Sequence, residues 1–532
     1  MLTRSARHQR TTPGSPRSDE RHTPRSPPNG RARSAAAIRP RRVGHGQDFP
    51  ARGAECRRRR CWHVGVLCSS REALTPWYVA VGRRHRAHSG GAHRVRGPIL
   101  ETSITVDSTP RPMRISLVAD ARSPIAQSWF DAVVACGYSI QVLSTYPIRV
   151  LPVPCSLVVL PTLPAAVSHV PRVPIPWCYQ RRLPQSSADR VFAPSSGGES
   201  RAGTARRELR LGCELLFRRR VGAAARRALD DFRPDIVHAL RIPFEAILVA
   251  PVMRRRPEPF LISTWGNDLT LYAAQSTTHR YLTRQVLHQA DGLHCDCERD
   301  LGLARRLGYR GSSLIAPGSG GIDVGTFPNA SNAQRARQRL DAPEDAPIIF
   351  NPRSYRDYVR NDVFFAALPA VMRRFPTAIA VTVGMDGNND YRRYASNLGI
   401  GNAVRFLPAQ DRAGMADLFS AATVTVSPST HDGTPNTVLE AMACGSFPIV
   451  GDIQSLREWI EPGINGLVVD SNSVAAVSEA INAALADADL RRRAAARNRA
   501  IIEERATRGA VRPALEQFYA RANRPPTRRH DR

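Results

Sequence analysis

From Met113 onward, short runs of buried-type residues alternate with longer stretches of helical spacing. The runs at 115–119, 139–144, 157–160, 236–239 and 260–264 are apolar, rich in β-branched residues and too short for helices. Between them, 127–135 and 214–232 place apolar residues at helical intervals. Regular alternation of this kind predicts a mostly parallel sheet covered on both faces. A turn-rich bridge, Ala316-Pro-Gly-Ser-Gly-Gly-Ile-Asp323, is followed by a second series of strands at 348–353, 379–383, 404–407, 423–427, 447–450 and 466–469. The stretches 473–485 and 490–520 read as amphipathic, Arg-rich helices, with a break or kink expected near Pro513. A chain of 532 residues exceeds a single core. The pattern predicts an α/β protein of two doubly wound domains facing a cleft, at 113–330 and 331–505, with a helix and tail at 506–532.

Residues 1–112 break the pattern. They carry 23 Arg against 7 acids and show no sustained period of either kind, so they lack the apolar content that ordering requires. The expectation is that translation starts at Met113 and that this leader takes no part in the fold. A disordered segment, a basic nucleic-acid-binding arm and a targeting peptide are the alternatives. The chain has a formal charge of +30 and every one of its 76 basic residues is Arg. With no Lys to serve as phosphate ligand, Schiff base or general base, a phosphate clamp must be built from Arg. Ten Cys fall without zinc spacing, which points to reduced thiols. His294-Cys295-Asp296-Cys297 ends a strand rather than forming a metal site, and no metal is expected. No run of 18 apolar residues offers a membrane span, and the most apolar region, 150–176, is broken by prolines and Arg172.

The chemistry concentrates in Ser427-Pro-Ser-Thr-His-Asp-Gly-Thr-Pro-Asn-Thr-Val-Leu-Glu-Ala-Met-Ala-Cys-Gly445. A β-branched strand runs into a turn punctuated by Gly433 and Pro435, and a helix then starts at Asn436 or Thr437 and ends at Gly445. Such a loop presents free N–H groups and the positive end of a helix dipole, which suits a diphosphate. Asp432 precedes the turn and Glu440 lies about one turn into the helix, so the two acids reach different parts of a bound ligand.

This segment resembles the signature of the retaining, two-Rossmann-domain (GT-B) glycosyltransferases of the group-1 type, family 4. Their pattern is an acid, seven residues, then Glu, within E-G-x-P-x-x-x-L-E-A-M-A-x-G-x-P-V-V. Gly433, Pro435, Leu439, Glu440, Ala441, Met442, Ala443, Gly445 and Pro448 match, with Asp432 where Glu is usual. Asp235-Ile-Val-His238 resembles a strand end facing the cleft, although the second His often found two residues later is Leu240 here. Ser263-Thr-Trp-Gly-Asn-Asp268 resembles the next strand end, and 317–323 resembles an N-G-I-D hinge with Gly320 in place of Asn. Arg353 matches the Arg closing the first donor-domain strand. The usual Lys-Gly is missing, and Arg356 or Arg360 are the substitutes.

The resemblance implies glycosyl transfer from a nucleoside diphosphate sugar to a hydroxyl of a glycan or lipid-linked acceptor, with retention and without a metal or cofactor. Arg353, Asp432, Glu440 and His238 are the implied catalytic set, with Glu440 on the ribose hydroxyls and Asp432 on the sugar. Donor contacts fall to Gly433, Thr434, Pro435, Asn436, Thr437, Arg360 and Gly384, with the base near 406–409. Gly266 and Asp268 are the acceptor-side residues. The Arg clusters 218–220, 226–227 and 254–256 suit docking to an anionic membrane surface or to a phosphorylated lipid acceptor. The expectation is a bacterial-type, cytoplasmic enzyme, peripheral at the inner membrane face, that binds no nucleic acid. The competing expectation is a non-catalytic sugar-nucleotide-binding subunit; a GT-B epimerase or phosphorylase is a sibling alternative.

Overall fold

A computed structural model describes residues 111–167, 201–325 and 330–524. The leader 1–112, all but its last two residues, and the apolar stretch beyond 167, Arg172 included, lie outside them. Seven strands form one sheet: β1 (Arg114–Ala119), β2 (Ser139–Ser144), β3 (Ser156–Val159), β4 (Ile236–Ala239), β5 (Phe260–Thr264), β6 (Gly292–Cys295) and β7 (Ser312–Ile315). Six form another: β8 (Ile348–Asn351), β9 (Ile379–Val383), β10 (Val404–Leu407), β11 (Val424–Ser427), β12 (Phe447–Gly451) and β13 (Leu467–Val469). The orders are β3-β2-β1-β4-β5-β6-β7 and β10-β9-β8-β11-β12-β13, and every pairing is parallel. Each order reverses direction once, between β1 and β4 and between β8 and β11. In open sheets of this kind, ligands bind beyond the carboxyl ends of the strands at such a switch point.

The helices that matter below are α1 (Pro124–Ala135), α2 (Arg201–Phe232), α3 (Glu298–Arg306), α4 (Arg412–Ala421), α5 (Asn436–Cys444), α6 (Ala488–Arg505) and α7 (Arg508–Ala522). One face of the first sheet packs Val118, Val237 and Ile262 against Leu211, Val221 and Leu229 of α2. Its other face packs Ile115 and Leu117 against Trp129 and Phe130 of α1 and Leu515 and Phe518 of α7. The second sheet is likewise covered on both faces. The final helix therefore crosses back onto the first domain. The helical break falls at Ala506–Thr507, not at Pro513, because the Thr507 side chain caps a fresh helix by accepting the Ala510 N–H. Pro513 sits inside α7.

A buried chain of hydrogen bonds fixes that return. The Trp129 indole donates to the Tyr519 hydroxyl at 3.2 Å, and Tyr519 lies 2.8 Å from His238 Nδ1. Ser263 Oγ is 2.9 Å from both His238 Nε2 and His294 Nδ1, and His294 Nε2 is 3.0 Å from the Ala316 carbonyl. The carbonyl can only accept and the indole can only donate, so every proton between them has one direction, from Trp129 through Tyr519, His238, Ser263 and His294 to Ala316. Both imidazoles are neutral in this chain. Burial pulls His294 down to about 4 and His238 well below its ordinary value, with His294 adding to the effect on His238.

Tyr519→Phe would leave the indole N–H and His238 Nδ1 without partners, at a cost of about 2–4 kcal/mol. A fall in Tm at neutral pH, measured by calorimetry, is the expected outcome. The same network makes the fold acid-sensitive. The unfolded chain takes up a proton at His294 near pH 6.5 that the folded chain refuses until about 4, so stability present above pH 6.5 is lost as pH falls through that window.

Candidate active site

The switch point of the second sheet builds the centre of the site. Arg353 follows β8, and its N–H donates to Asn351 Oδ1 at 3.0 Å, while Asn351 is itself held by Asn361 at 2.8 Å. Asp432 lies on the loop after β11, and its carboxylate meets the Arg353 guanidinium at 2.7 Å with both side chains largely buried. The sequence assigned Arg353 to phosphate and Asp432 to sugar; in the structure each neutralises the other. The Tyr358 hydroxyl also bonds Arg353.

Helix α5 begins after Pro435 with no side-chain cap. Asn436 Oδ1 and Thr437 Oγ1 at its mouth are buried without hydrogen-bond partners. Uncapped N–H groups, a dipole end and unpartnered polar atoms converge there, which is an anion site in waiting. Glu440 lies one turn along the helix. Burial pushes its carboxyl up to about 7, with Arg412 of α4 opposing the shift. Gly384, left-handed at φ +67°, closes β9, and its N–H donates to the Leu407 carbonyl at 2.9 Å beside Ser354.

The first domain closes directly onto this loop. A Cβ on Gly266 would lie 1.7 Å from the Gly433 nitrogen, and one on Gly433 would lie 2.3 Å from an Asp296 oxygen. Arg299 of α3 binds the two halves together. Its Nη1 donates to the Asp432 carbonyl at 2.6 Å and to Ser455 at 3.0 Å, and its Nη2 donates to the Gly266 carbonyl at 3.1 Å. The carboxylate of Glu458 caps α3 from the other domain, accepting the N–H groups of Glu298 and Arg299 at 2.9 and 3.0 Å. Thr434 donates to the Asp296 carbonyl, and the Trp459 indole donates to Thr434 at 3.0 Å. Gly266→Ala has no space for its methyl group while the halves are closed. A loss of turnover of about 10²-fold without a matching loss of Tm is expected from steady-state assays and thermal melts.

Three sequence-predicted residues sit elsewhere in the chemistry. His238 is wholly buried with both nitrogens engaged in the Tyr519–Ser263 chain, so it offers no nitrogen to a substrate. Arg360 is buried, donates from Nε and Nη2 to Asp362 at 3.0 Å each and also bonds Asn472, which leaves no free edge for a phosphate. Asp268 is buried beneath Arg241, which bonds it, and it accepts the Trp265 N–H at 3.1 Å. Asp296, Arg299 and Glu458 were missed. The run Asp296-Cys-Glu-Arg-Asp300 hinted at the first two and the signature-like Arg457-Glu-Trp-Ile460 at the third, but the contacts of Arg299 with Asp432 and of Glu298 with Glu458 span 133 and 160 residues. Among the described residues, Asp296, Cys297 and Asp300 place ligand atoms within 4.8 Å of one another. Arg299 bonds Asp300 at 2.9 Å and already supplies the countercharge.

Comparison with known proteins decides the family of the second domain. Residues 332–501 match the model described as glycosyl transferases group 1. They belong to that family. Among curated relatives, the D-inositol 3-phosphate glycosyltransferase of Streptosporangium roseum is 29% identical over 162 residues, covering 29% of this chain and 37% of the relative. The lipopolysaccharide core biosynthesis glycosyltransferase LpsE of Rhizobium meliloti is 29% identical over 185 residues, covering 35% and 53%. The chain thus spans about a third to a half of the length of these curated relatives. Among solved structures, sucrose-phosphate synthase from Thermosynechococcus elongatus aligns with a TM-score of 0.60 at 19% identity, covering 77% of this chain and 98% of that one. Anabaena HepE, solved with UDP-glucose, aligns with a TM-score of 0.57 at 15% identity, covering 77% and 100%. Both alignments extend over the two sheets, so the chain has the GT-B fold of these structures.

Proposed function

We propose that the chain transfers a sugar from a nucleoside diphosphate sugar to a hydroxyl of a glycan or glycolipid acceptor, with retention of configuration and without a metal, as a family 4 enzyme. The observation that carries this is the uncapped start of α5, with Asn436 and Thr437 unpartnered, set between the Arg353–Asp432 pair and Glu440. A diphosphate at the helix mouth takes the free N–H groups and the remaining donors of Arg353, which stabilise the charge that grows on the leaving group. Its arrival releases Asp432 to accept from sugar hydroxyls, and Glu440 accepts from the ribose. HepE in complex with UDP-glucose supports a sugar nucleotide as the donor. LpsE, by its name, supports a surface-polysaccharide setting. Among the described residues, no helix is long and apolar enough to cross a membrane. Peripheral contact of α2 with an anionic membrane is supported by exposed Arg218, Arg219 and Arg220 beside Leu216, which is 81% exposed.

The test is donor turnover after exhaustive dialysis against a chelator, with the anomeric configuration of the released or transferred sugar read by proton NMR. Undiminished turnover with retention is expected. Loss that magnesium restores, or inversion, would overturn the metal-free retaining mechanism. A non-catalytic donor-binding subunit is the alternative that the self-neutralised Arg353–Asp432 pair favours, and donor binding with neither hydrolysis nor transfer would establish it.

A further inference from the structure

The backbone of Asp432 is gripped from both domains. From the first, Arg299 Nη1 donates to the Asp432 carbonyl at 2.6 Å. From the second, Ser455 Oγ donates to the same carbonyl at 2.8 Å and itself accepts from Arg299 at 3.0 Å. Fully buried Asp300 fixes the guanidinium on α3, its Oδ1 accepting from Nε at 2.9 Å and meeting Nη2 at 2.8 Å. Nη2 also donates to the Gly266 carbonyl at 3.1 Å, so every nitrogen of the fork is engaged. The next residue, Gly433, has no room for a side chain against Asp296. These contacts are hydrogen bonds among carbonyls, hydroxyls and charges, and the Glu458 cap on α3 is another. Such bonds exchange for water with little net change, which lets the halves part and close again. A latch that only joined two domains could sit anywhere along their interface. This one grips the residue whose carboxylate the donor sugar needs.

On the reading that the cleft transfers a sugar, we infer that Arg299 is a positioning residue for that reaction. It holds the peptide of Asp432 from the opposite domain, so the carboxylate is aimed at the sugar only while the halves are closed. Arg299 touches neither donor nor acceptor and acts through Asp432. The helix mouth, Arg353 and Glu440 all belong to the second domain, so a donor binds before closure and reacts after it. Loss of the grip therefore lowers kcat and spares nucleotide affinity, because misplacing an orienting group by about 1 Å costs about 10²-fold in rate.

Arg299→Lys tests the proposal because it keeps the charge beside Asp300 and loses the fork. Sugar release from whichever of UDP-, GDP- and ADP-glucose the wild type turns over should fall at least tenfold in kcat. The calorimetric Kd of the matching nucleoside diphosphate should stay within twofold. Hydrogen exchange, read by mass spectrometry of peptides spanning 428–437, should quicken at least threefold, with no change in peptides from β8. Glu458→Gln loosens the same seam without altering the Arg299 side chain and should move kcat and exchange in the same direction by a smaller factor. It carries the test under the same criteria if Arg299→Lys does not fold. Unchanged kcat, a loss that appears as weaker nucleotide binding, or wild-type exchange at 428–437 would overturn the proposal. If the wild-type chain turns over none of the three donors, the transferase reading fails on its own. The exchange comparison still decides whether Arg299 holds the turn, and an unchanged rate there overturns the grip independently.

Discussion

Glu440→Ala is expected to abolish turnover of the nucleotide sugar, by about 10²–10³-fold, in a protein that still folds. Among the described residues Glu440 makes no hydrogen bond or ion pair, so α5 loses nothing on its removal. That helix is held instead by Val438, Leu439, Ala441 and Met442, which are fully buried. A carboxyl kept partly buried with only Arg412 nearby is costly unless a ligand completes it. Its titration gives a second readout. The group loses its proton near pH 7, and only the carboxylate accepts from two hydroxyls. Donor KM should therefore rise as pH falls below about 7, and Glu440→Gln should flatten that dependence. A normal turnover number in Glu440→Ala, with a pH profile like wild type, would remove Glu440 from the site.

Arg353→Ala is expected to be damaging in two separable ways. Loss of the guanidinium leaves Asp432 largely buried and unpaired, which costs about 3–5 kcal/mol of stability. It also removes the fixed positive charge from the leaving diphosphate, which should lower turnover by about 10²–10³-fold. The double variant Arg353→Ala, Asp432→Ala separates the two effects. It should recover most of the Tm and none of the activity. Arg353→Lys should restore less than charge alone predicts, because a point charge cannot hold Asp432 and Tyr358 together as the planar fork does. Recovery of activity in the double variant would show that the pair is only structural.

The strands were legible because buried parallel strands are short β-branched runs. The spans 139–144, 236–239, 260–264, 379–383 and 404–407 coincide with β2, β4, β5, β9 and β10. Strand β7 escaped notice because Ser312-Ser313-Leu314-Ile315 lies at the sheet edge, half exposed, and carries little apolar signal. In the site, the signature loop was readable as a local pattern, since strand, turn and helix lie within nineteen residues. What could not be read was which groups already have partners. Nothing local to Arg360 shows that Asp362 and Asn472 take its guanidinium, and nothing near His238 shows that Tyr519, 281 residues on, takes its nitrogen. The seam of Gly266, Asp296 and Arg299 on Asp432 and Gly433 exists only once the two sheets meet.

The most direct measurement is calorimetric binding of UDP-, GDP- and ADP-glucose to the chain and to its Glu440→Ala variant, with release of free sugar followed in the same samples. One donor should bind wild type in the micromolar range and release its sugar slowly, and the variant should lose at least tenfold in affinity and all detectable release. A folded wild-type protein that binds none of these nucleotides, or a variant that binds and releases as wild type does, would contradict a donor site at the mouth of α5.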